Sequence, residues 1–434
     1  MSNENGTGVV RAKNSKSNFG KRGWSIIIFG MVMYFCSAGI LVEGSNMIVP
    51  TVAAATGMGE AGLYSMATVA SLLGIPLSFL AGMMITKFGP TKNIGLFWIL
   101  GAVGLVITGF STNYILYVIG RILVNMASVG GITMAYNTLV ANWFPTKKDL
   151  IQGYATIGSN LSTAFAVMIL TVLFAAMSVS SAFIAVAVVF FIIGIVALTC
   201  FKDNPEDVGC FPDNDQDMTR EKALALLEEG EAYQKSSPWT IGKLLKTKQT
   251  WQIAIGYGII LMITVGMLST LVTTLMIKGL GQTTAVSMMT VAAVVAMPCS
   301  YLWGWIGSKK GTKAASLILY CVVIVCLVFM LLPGTWSAFV TVALLGCFIG
   351  AGNNLTPSIV GSVFGRYDYS RAMTVIIPIW NIVVAFATSI VGVPQSLTGS
   401  YTASYIVLII CAVIGFILVY TLDETCIGRN DLNG

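Results

Sequence analysis

The chain has no histidine, and among its 434 residues only 18 are acidic and 24 basic. Without histidine there is no Ser-His-Asp or Cys-His nucleophile, no His-ligated zinc and no histidine-ligated haem. The nine cysteines are scattered and never spaced C-x-x-C, with Cys36, Cys299, Cys321, Cys326, Cys347 and Cys411 inside apolar runs. Buried in such runs, a thiol behaves as a small hydrophobe, so neither disulfides, a metal nor any other cofactor is expected. Charged residues make up 10% of the chain, against about 25% in soluble domains. That is too little charge to cover a water-facing surface, which excludes two or three soluble domains as well as disorder. What fills the chain is apolar, at 56% with a mean hydropathy of +0.84. It is an integral membrane protein.

A spanning helix needs about 20 mostly apolar residues. Twelve stretches qualify: 24–49, 61–85, 93–111, 113–140, 150–176, 179–201, 251–277, 283–306, 313–332, 336–363, 372–394 and 401–421. They are long and unbroken, without the alternation of a barrel strand. The expected fold is therefore all-α, with twelve transmembrane helices. The hydrophilic stretch 202–250 divides them six and six, giving a tail at 1–23, halves at 24–201 and 251–421, and a second tail at 422–434. The first 23 residues are basic and lack a small-residue cleavage site, so they read as a cytoplasmic tail rather than a signal peptide.

Charge placement tests the count. With the amino terminus inside, 22 of the 24 basic residues fall in inner segments; Lys278 lies outside and Arg121 within the fourth span. Such asymmetry is the positive-inside rule, and it places both termini in the cytoplasm of a multi-pass plasma-membrane protein. It also accounts for the net charge of +6 without a nucleic-acid partner.

An internal repeat supports two pseudosymmetric halves. Gly82, Thr86, Lys87 and Gly89 between the second and third spans match Gly304, Ser308, Lys309 and Gly311 at one offset of 222 residues. A weaker echo links Trp143-Phe-Pro-Thr-Lys147-Lys148 with Val363-Phe364-Gly-Arg366. Parallel six-helix repeats follow. The central loop, with a mixed-charge helical stretch from Thr219 to Lys235, reads first as a solvated connector and second as a docking element.

These glycine-spaced basic loops resemble those of the major facilitator superfamily, whose pattern is G-x-x-x-D-[RK]-x-G-[RK]-[RK]. Lys87 and Lys309 keep the basic position, while Thr86 and Ser308 stand where the acid is usual. Three further stretches are similar to the oxalate/formate antiporter and monocarboxylate transporter branch. They are Trp143-Phe144-Pro-x-Lys147-Lys148-x-Leu150-x-x-Gly153-x-Ala155-x-x-Gly158, Asn204-Pro-Glu-Asp-Val-Gly-x-x-Pro212-Asp213, and Trp239-Thr-x-x-x-Leu244-Leu-Lys-Thr-Lys-x-Thr-Trp251. Sugar-phosphate and hexuronate carriers share variants of these. The fifth span lacks the G-P-x-x-G-G element of drug/proton antiporters. The resemblance implies a monomeric secondary transporter with alternating access around a central site, its partners a small-molecule substrate and the lipid bilayer, with a proton as candidate coupling ion.

Two charges fall at bilayer depth, Glu43 in the first span and Arg121 in the fourth. Each costs several kcal/mol, about 2.5–3.5 on the lenient insertion scale, so both are functional candidates. Arg121 lies seven residues past Tyr114, roughly 10 Å below the outer interface. Three roles compete: Arg121 binds a substrate carboxylate, Arg121 and Glu43 pair as a structural or gating bridge, or Glu43 snorkels to the interface. Glu43 is the coupling or gating candidate, being the carboxyl group placed in the membrane.

Asn125, Ser128 and Tyr136 continue a stripe below Arg121, beside Gly130 and Gly131, for which helix packing is the simpler role. Tyr34, Ser37 and Asn160 join this lining. In the second half the polar or amphipathic residues at depth are Tyr257, Asn353, Asn354, Trp380 and Asn381, serving interhelical hydrogen bonds or substrate contact. Asn353 and Asn354 precede Pro357, a candidate kink. Arg371 and Lys278 sit at the membrane edges, so no second buried cation opposes Arg121. A dianion is disfavoured, and a monocarboxylate or amphipathic carboxylic acid fits better, moved by proton symport or anion exchange. A neutral or zwitterionic solute is the alternative, as is a transport-dead sensor of the same fold. An enzyme is not expected, because no reactive constellation is present.

Overall fold

The computed structural model describes residues 18–429, apart from the Asn46 side chain. Of the basic tail, Arg11, Lys13 and Lys16 lie outside the described residues, as do 430–434. The described chain is a series of long apolar helices joined by short turns. Helices such as Glu60–Phe88 and Gln282–Lys310, each of 29 residues, reach about 44 Å at 1.5 Å per residue, enough for the hydrocarbon core and both headgroup layers.

Among the described residues eleven helical stretches are long and apolar enough to span a membrane, and one of them, Thr335–Thr398, runs for 64 residues. At 1.5 Å per residue that is about three bilayer cores, so it cannot be one crossing. The break falls at Gly365, whose φ of 72° with ψ of −177° ends one helix and starts the next. Two spans result, and the count is twelve. Pro357 and Pro378 are carried inside the helical run, and the turn between the two spans comes at Gly365.

The first span also differs from the stretch 24–49. Helix Gly20–Ala38 passes into a π-helical turn, Gly39–Glu43, and restarts as Ser45–Thr56. In the fourth span a longer π segment, Ala127–Tyr136, lies between Tyr114–Met126 and Asn137–Trp143. Gly130 and Gly131 sit in it because a Cβ there would stand 2.8 Å from the Phe97 ring and 2.8 Å from the Trp98 indole nitrogen. Their role is packing.

The distribution of side chains is that of a protein solvated by lipid. Ile115, Ile277 and Val42 are more than 60% exposed, whereas Asn93, Asn137, Asn160 and Asn354 are buried. Polar groups inside such a bundle bond between helices, since hydrocarbon offers them nothing.

The contacts group the chain into two compact units. One contains Phe19–Phe144 and Leu161–Glu229. Within it the end of the fourth span is tied to the end of the sixth, Trp143 Nε1 donating to the Lys202 carbonyl at 3.0 Å and Asn142 Nδ2 to the Asp203 carbonyl at 3.2 Å. The other contains Pro145–Asn160 with Gly230–Gly434. There the opening of the fifth span lies against the eighth: a Cβ on Gly153 would stand 2.9 Å from the Ser300 carbonyl oxygen. Asn160 Nδ2 donates to Ser300 Oγ at 2.7 Å and to the Ala296 carbonyl at 3.2 Å.

The central loop is not wholly a solvated connector. Its helix Arg220–Ser236 ends on the turn between the tenth and eleventh spans. Tyr233 donates its hydroxyl to Asp368 Oδ2 at 2.8 Å, Ser237 Oγ to Asp368 Oδ1 at 2.5 Å, and Gln234 Nε2 to the Tyr367 carbonyl at 3.2 Å. Burial, with the Asp368 carboxylate beside it, pushes the Tyr233 hydroxyl up to about 12. Lys278, the basic residue outside the charge pattern, closes the end of the ninth span. It donates to the carbonyls of Phe329 (3.1 Å) and Leu332 and to Ser337 Oγ (2.8 Å).

Candidate functional site

The π turn of the first span organises the polar residues at depth. Widening shifts the ladder by one residue, so that the Gly44 N–H bonds to the Gly39 carbonyl at 2.9 Å. Gly39 and Gly44 permit this because a Cβ at either would press on the fifth span, against Ala166 or Leu170. π turns in transmembrane helices recur at functional positions.

Arg121 arrives at this turn from the fourth span and is 7% exposed. Its Nη1 donates to the Ile40 carbonyl at 3.4 Å and its Nη2 to Ser45 Oγ at 3.3 Å. Ser45 Oγ in turn donates to the Leu41 carbonyl at 2.8 Å. Glu43, on the same turn, accepts from Thr163 Oγ1 of the fifth span at 2.7 Å. The two charges thus flank one backbone feature and bond to different partners. Among the described residues the Arg121 guanidinium has no carboxylate partner and leaves donors unspent. A guanidinium carries five N–H donors in a planar fork, and with two long hydrogen bonds made it has the chemistry to pair with a planar anion.

Above and below Arg121 the fourth span presents Tyr117 and Asn125, one turn away on each side and on the same face. Asn125 faces the second span, lining a small cavity of about 10 Å³ with Gly74, Ser78 and Gly130. Tyr34 Oη donates to Asn137 Oδ1 at 3.4 Å and its ring meets Tyr136 edge-on with centroids 6.1 Å apart. Tyr136 bonds to the Ile26 carbonyl at 3.3 Å. These tyrosines join the first and fourth spans lower down and do not reach the Arg121 cluster.

In the second half the expected residues separate by role. Tyr257 is buried and its hydroxyl pairs with Ser316 Oγ at 2.8 Å, a bond between the seventh and ninth spans. Asn354 is fully buried; its Nδ2 donates to the Ser300 carbonyl at 2.9 Å, while its Oδ1 has no partner. Trp380 is buried and its Nε1 is likewise unpartnered. Asn353 is exposed and Asn381 half-buried. Asn354 and Trp380 therefore retain unspent hydrogen-bonding atoms, whereas Tyr257 does not.

The cytoplasmic loop residues are structural in geometry. Gly89 and Gly311 hold φ of 84° and 93°, a region that disfavours any side chain. Gly82 is buried, and Gly304 packs closely on Gly153 and Asp149. Lys87 Nζ lies 5.3 Å from the centroid of the Phe88 ring and Lys309 Nζ 4.4 Å from that of Trp305. Thr86 and Ser308, at the positions of the usual acid, bond back to their own helices.

Sequence reasoning missed Ser45, Thr163 and Tyr117. The first two carry no signal, since hydroxyls are common in these spans. Tyr117 had one, its position four residues before Arg121 on the same helix.

Solved structures share this fold. A proton:xylose symporter, XylE, bound to 6-bromo-6-deoxy-D-glucose, aligns with a TM-score of 0.71 at 12% identity, covering 92% of this chain and 95% of its own. The human organic anion transporter MFSD10 (TETRAN) aligns at 0.68 and 13% identity, over 92% and 99%. FucP in the outward conformation aligns at 0.65 and 15% identity, over 92% and 98%. At these identities the likeness shows the fold alone. No curated protein matches the chain by sequence. The family model does match, over residues 27–388, and with its twelve helices the chain belongs to the Major Facilitator Superfamily of secondary transporters.

Proposed function

We propose that the protein carries a small organic monoanion, a monocarboxylate or an amphipathic carboxylic acid, across the plasma membrane by alternating access, as a monomer with both termini in the cytoplasm. One observation carries this: a guanidinium 7% exposed, in the membrane, without a carboxylate partner among the described residues. A buried cation with no anion is costly, and an arriving carboxylate removes that cost. A solute without charge cannot. Arg121 takes the carboxylate in this scheme, and Glu43, held by Thr163, is the candidate for a coupled proton. The loop stretches similar to the oxalate/formate and monocarboxylate branch agree with it, as does the lack of a basic residue at mid-depth in the eighth and eleventh spans.

A neutral polar solute is the second reading, favoured by the unspent Asn354 Oδ1 and Trp380 Nε1. Uptake into proteoliposomes decides between them. Labelled lactate, acetate and benzoate should accumulate where xylose and fucose do not, and Arg121→Ala should abolish that uptake. Equal uptake by Arg121→Ala, or transport of the sugars alone, overturns the anion assignment.

A further inference from the structure

Tyr114 and Tyr117 lie one turn apart at the outer end of the fourth span, and their hydroxyls differ. Tyr114 Oη accepts the Gly59 N–H at 3.0 Å, a bond that ties the start of the second span in place. Tyr117 is 0% exposed, and among the described residues its hydroxyl has no hydrogen-bond partner. A buried hydroxyl left unpaired is a net cost to the fold. Phenylalanine would pack the same ring without it, so the oxygen is not there for stability.

Its neighbour supplies the reason. Tyr117 and Arg121 are four residues apart on one helix, which puts them on the same face with Cβ atoms about 5–6 Å apart. Helical side chains lean back over the preceding turn, so Arg121 reaches toward the level of Tyr117. An unspent O–H donor thus stands one turn from an unspent guanidinium on the same helix face, both buried and neither bonded to a carboxylate among the described residues.

We propose that the Tyr117 hydroxyl is the second donor for the anion that Arg121 binds, and that the pair selects a carboxylate over its neutral counterpart. This rests on the Arg121 assignment above. The guanidinium supplies charge, and the hydroxyl supplies a directed bond to the carboxylate oxygen that the guanidinium leaves open. Tyr117 is a specificity-determining residue on this account, and its orphan hydroxyl becomes satisfied only when substrate is bound.

The test uses purified full-length protein, with acetate, lactate and benzoate as probes and their methyl esters as neutral controls. Wild type should bind the acids and not the esters. Tyr117→Phe should weaken binding of the acids by about tenfold or more, the worth of one hydrogen bond to a charged group. Ligand-free Tyr117→Phe should melt no lower than wild type, because no bond is lost in the empty state. Unchanged affinity in Tyr117→Phe, with affinity lost in Arg121→Lys, overturns the role of Tyr117 and leaves that of Arg121 standing. A lower melting temperature for ligand-free Tyr117→Phe also overturns it, by revealing a structural bond. Should wild type bind none of the acids and Arg121→Lys behave like wild type, both assignments fail together.

Discussion

Asp203, just past the sixth span, caps the third: its Oδ1 accepts the Thr91 N–H at 2.8 Å and the Thr91 hydroxyl at 2.5 Å. The helix begins at Pro90, which has no N–H to satisfy, so Thr91 presents the first free donor. At 221 residues further along, Glu424 stands to Thr312 as Asp203 stands to Thr91, accepting its N–H at 2.9 Å. The copies differ in one respect: the Thr312 hydroxyl goes to Asp149 Oδ1 instead, at 2.8 Å. The repeat therefore conserves a device beyond its glycines. A carboxylate following the last helix of each half holds the start of the third.

Removing either carboxylate exposes a helix start. Asp203→Ala and Glu424→Ala should each destabilise the protein by about 1–2 kcal/mol, read as a lower melting temperature in detergent. Asp203→Asn, which keeps an acceptor oxygen, should lose less than Asp203→Ala. Equal losses would show that charge near the helix dipole, rather than the hydrogen bond, is the main contribution.

Gly89 and Gly311 precede these caps with φ of 84° and 93°. An alanine at either pays about 1–3 kcal/mol for an extended positive-φ backbone that is essentially confined to glycine. At Gly89 its Cβ would also run into the Asp203 carboxylate, and at Gly311 it would stand 3.0 Å from Glu424 Oε2. Gly89→Ala should therefore lower the melting temperature more than Asp203→Ala. A double variant should fall short of the sum, since one substitution already displaces the other's partner.

Much of this frame was legible without coordinates, for physical reasons. Hydropathy runs reveal spans because hydrocarbon demands them, and glycines 222 residues apart mark backbone that tolerates no side chain. What stayed hidden depends on third dimensions of packing. Gly39-Ile-Leu-Val-Glu43 contains no proline and nothing else that announces a π turn; it arises where Gly39 and Gly44 lie against the fifth span. The partners of Arg121 could not be read because a backbone carbonyl, that of Ile40, is one of them. Tyr117 could not be told from Tyr114 by sequence, because the two differ in the partners of their hydroxyls.

Asp368 anchors the central loop by accepting from Tyr233 and Ser237. Asp368→Ala removes both bonds, each to a charged group and worth about 1.5–3 kcal/mol at most. The loop end should then open while the helices persist. Limited trypsinolysis reads this directly: cleavage after Lys235 should accelerate in Asp368→Ala with little change in melting temperature. Unchanged cleavage would mean that Arg371, donating to the Gln234 carbonyl at 2.5 Å, holds the segment by itself.

Whether a proton travels with the substrate can be tested at Glu43. Its carboxyl accepts from Thr163 and makes no bond to Arg121, so it is free to change protonation without breaking an ion pair. Under proton symport, Glu43→Gln should lose all accumulation driven by a pH gradient. Exchange of labelled for unlabelled substrate at equal pH should continue, since that needs no net proton movement. Thr163→Val keeps the carboxyl and should keep coupling. Gradient-driven accumulation that survives in Glu43→Gln would assign the protein to anion exchange, with Glu43 a polar link between the first and fifth spans.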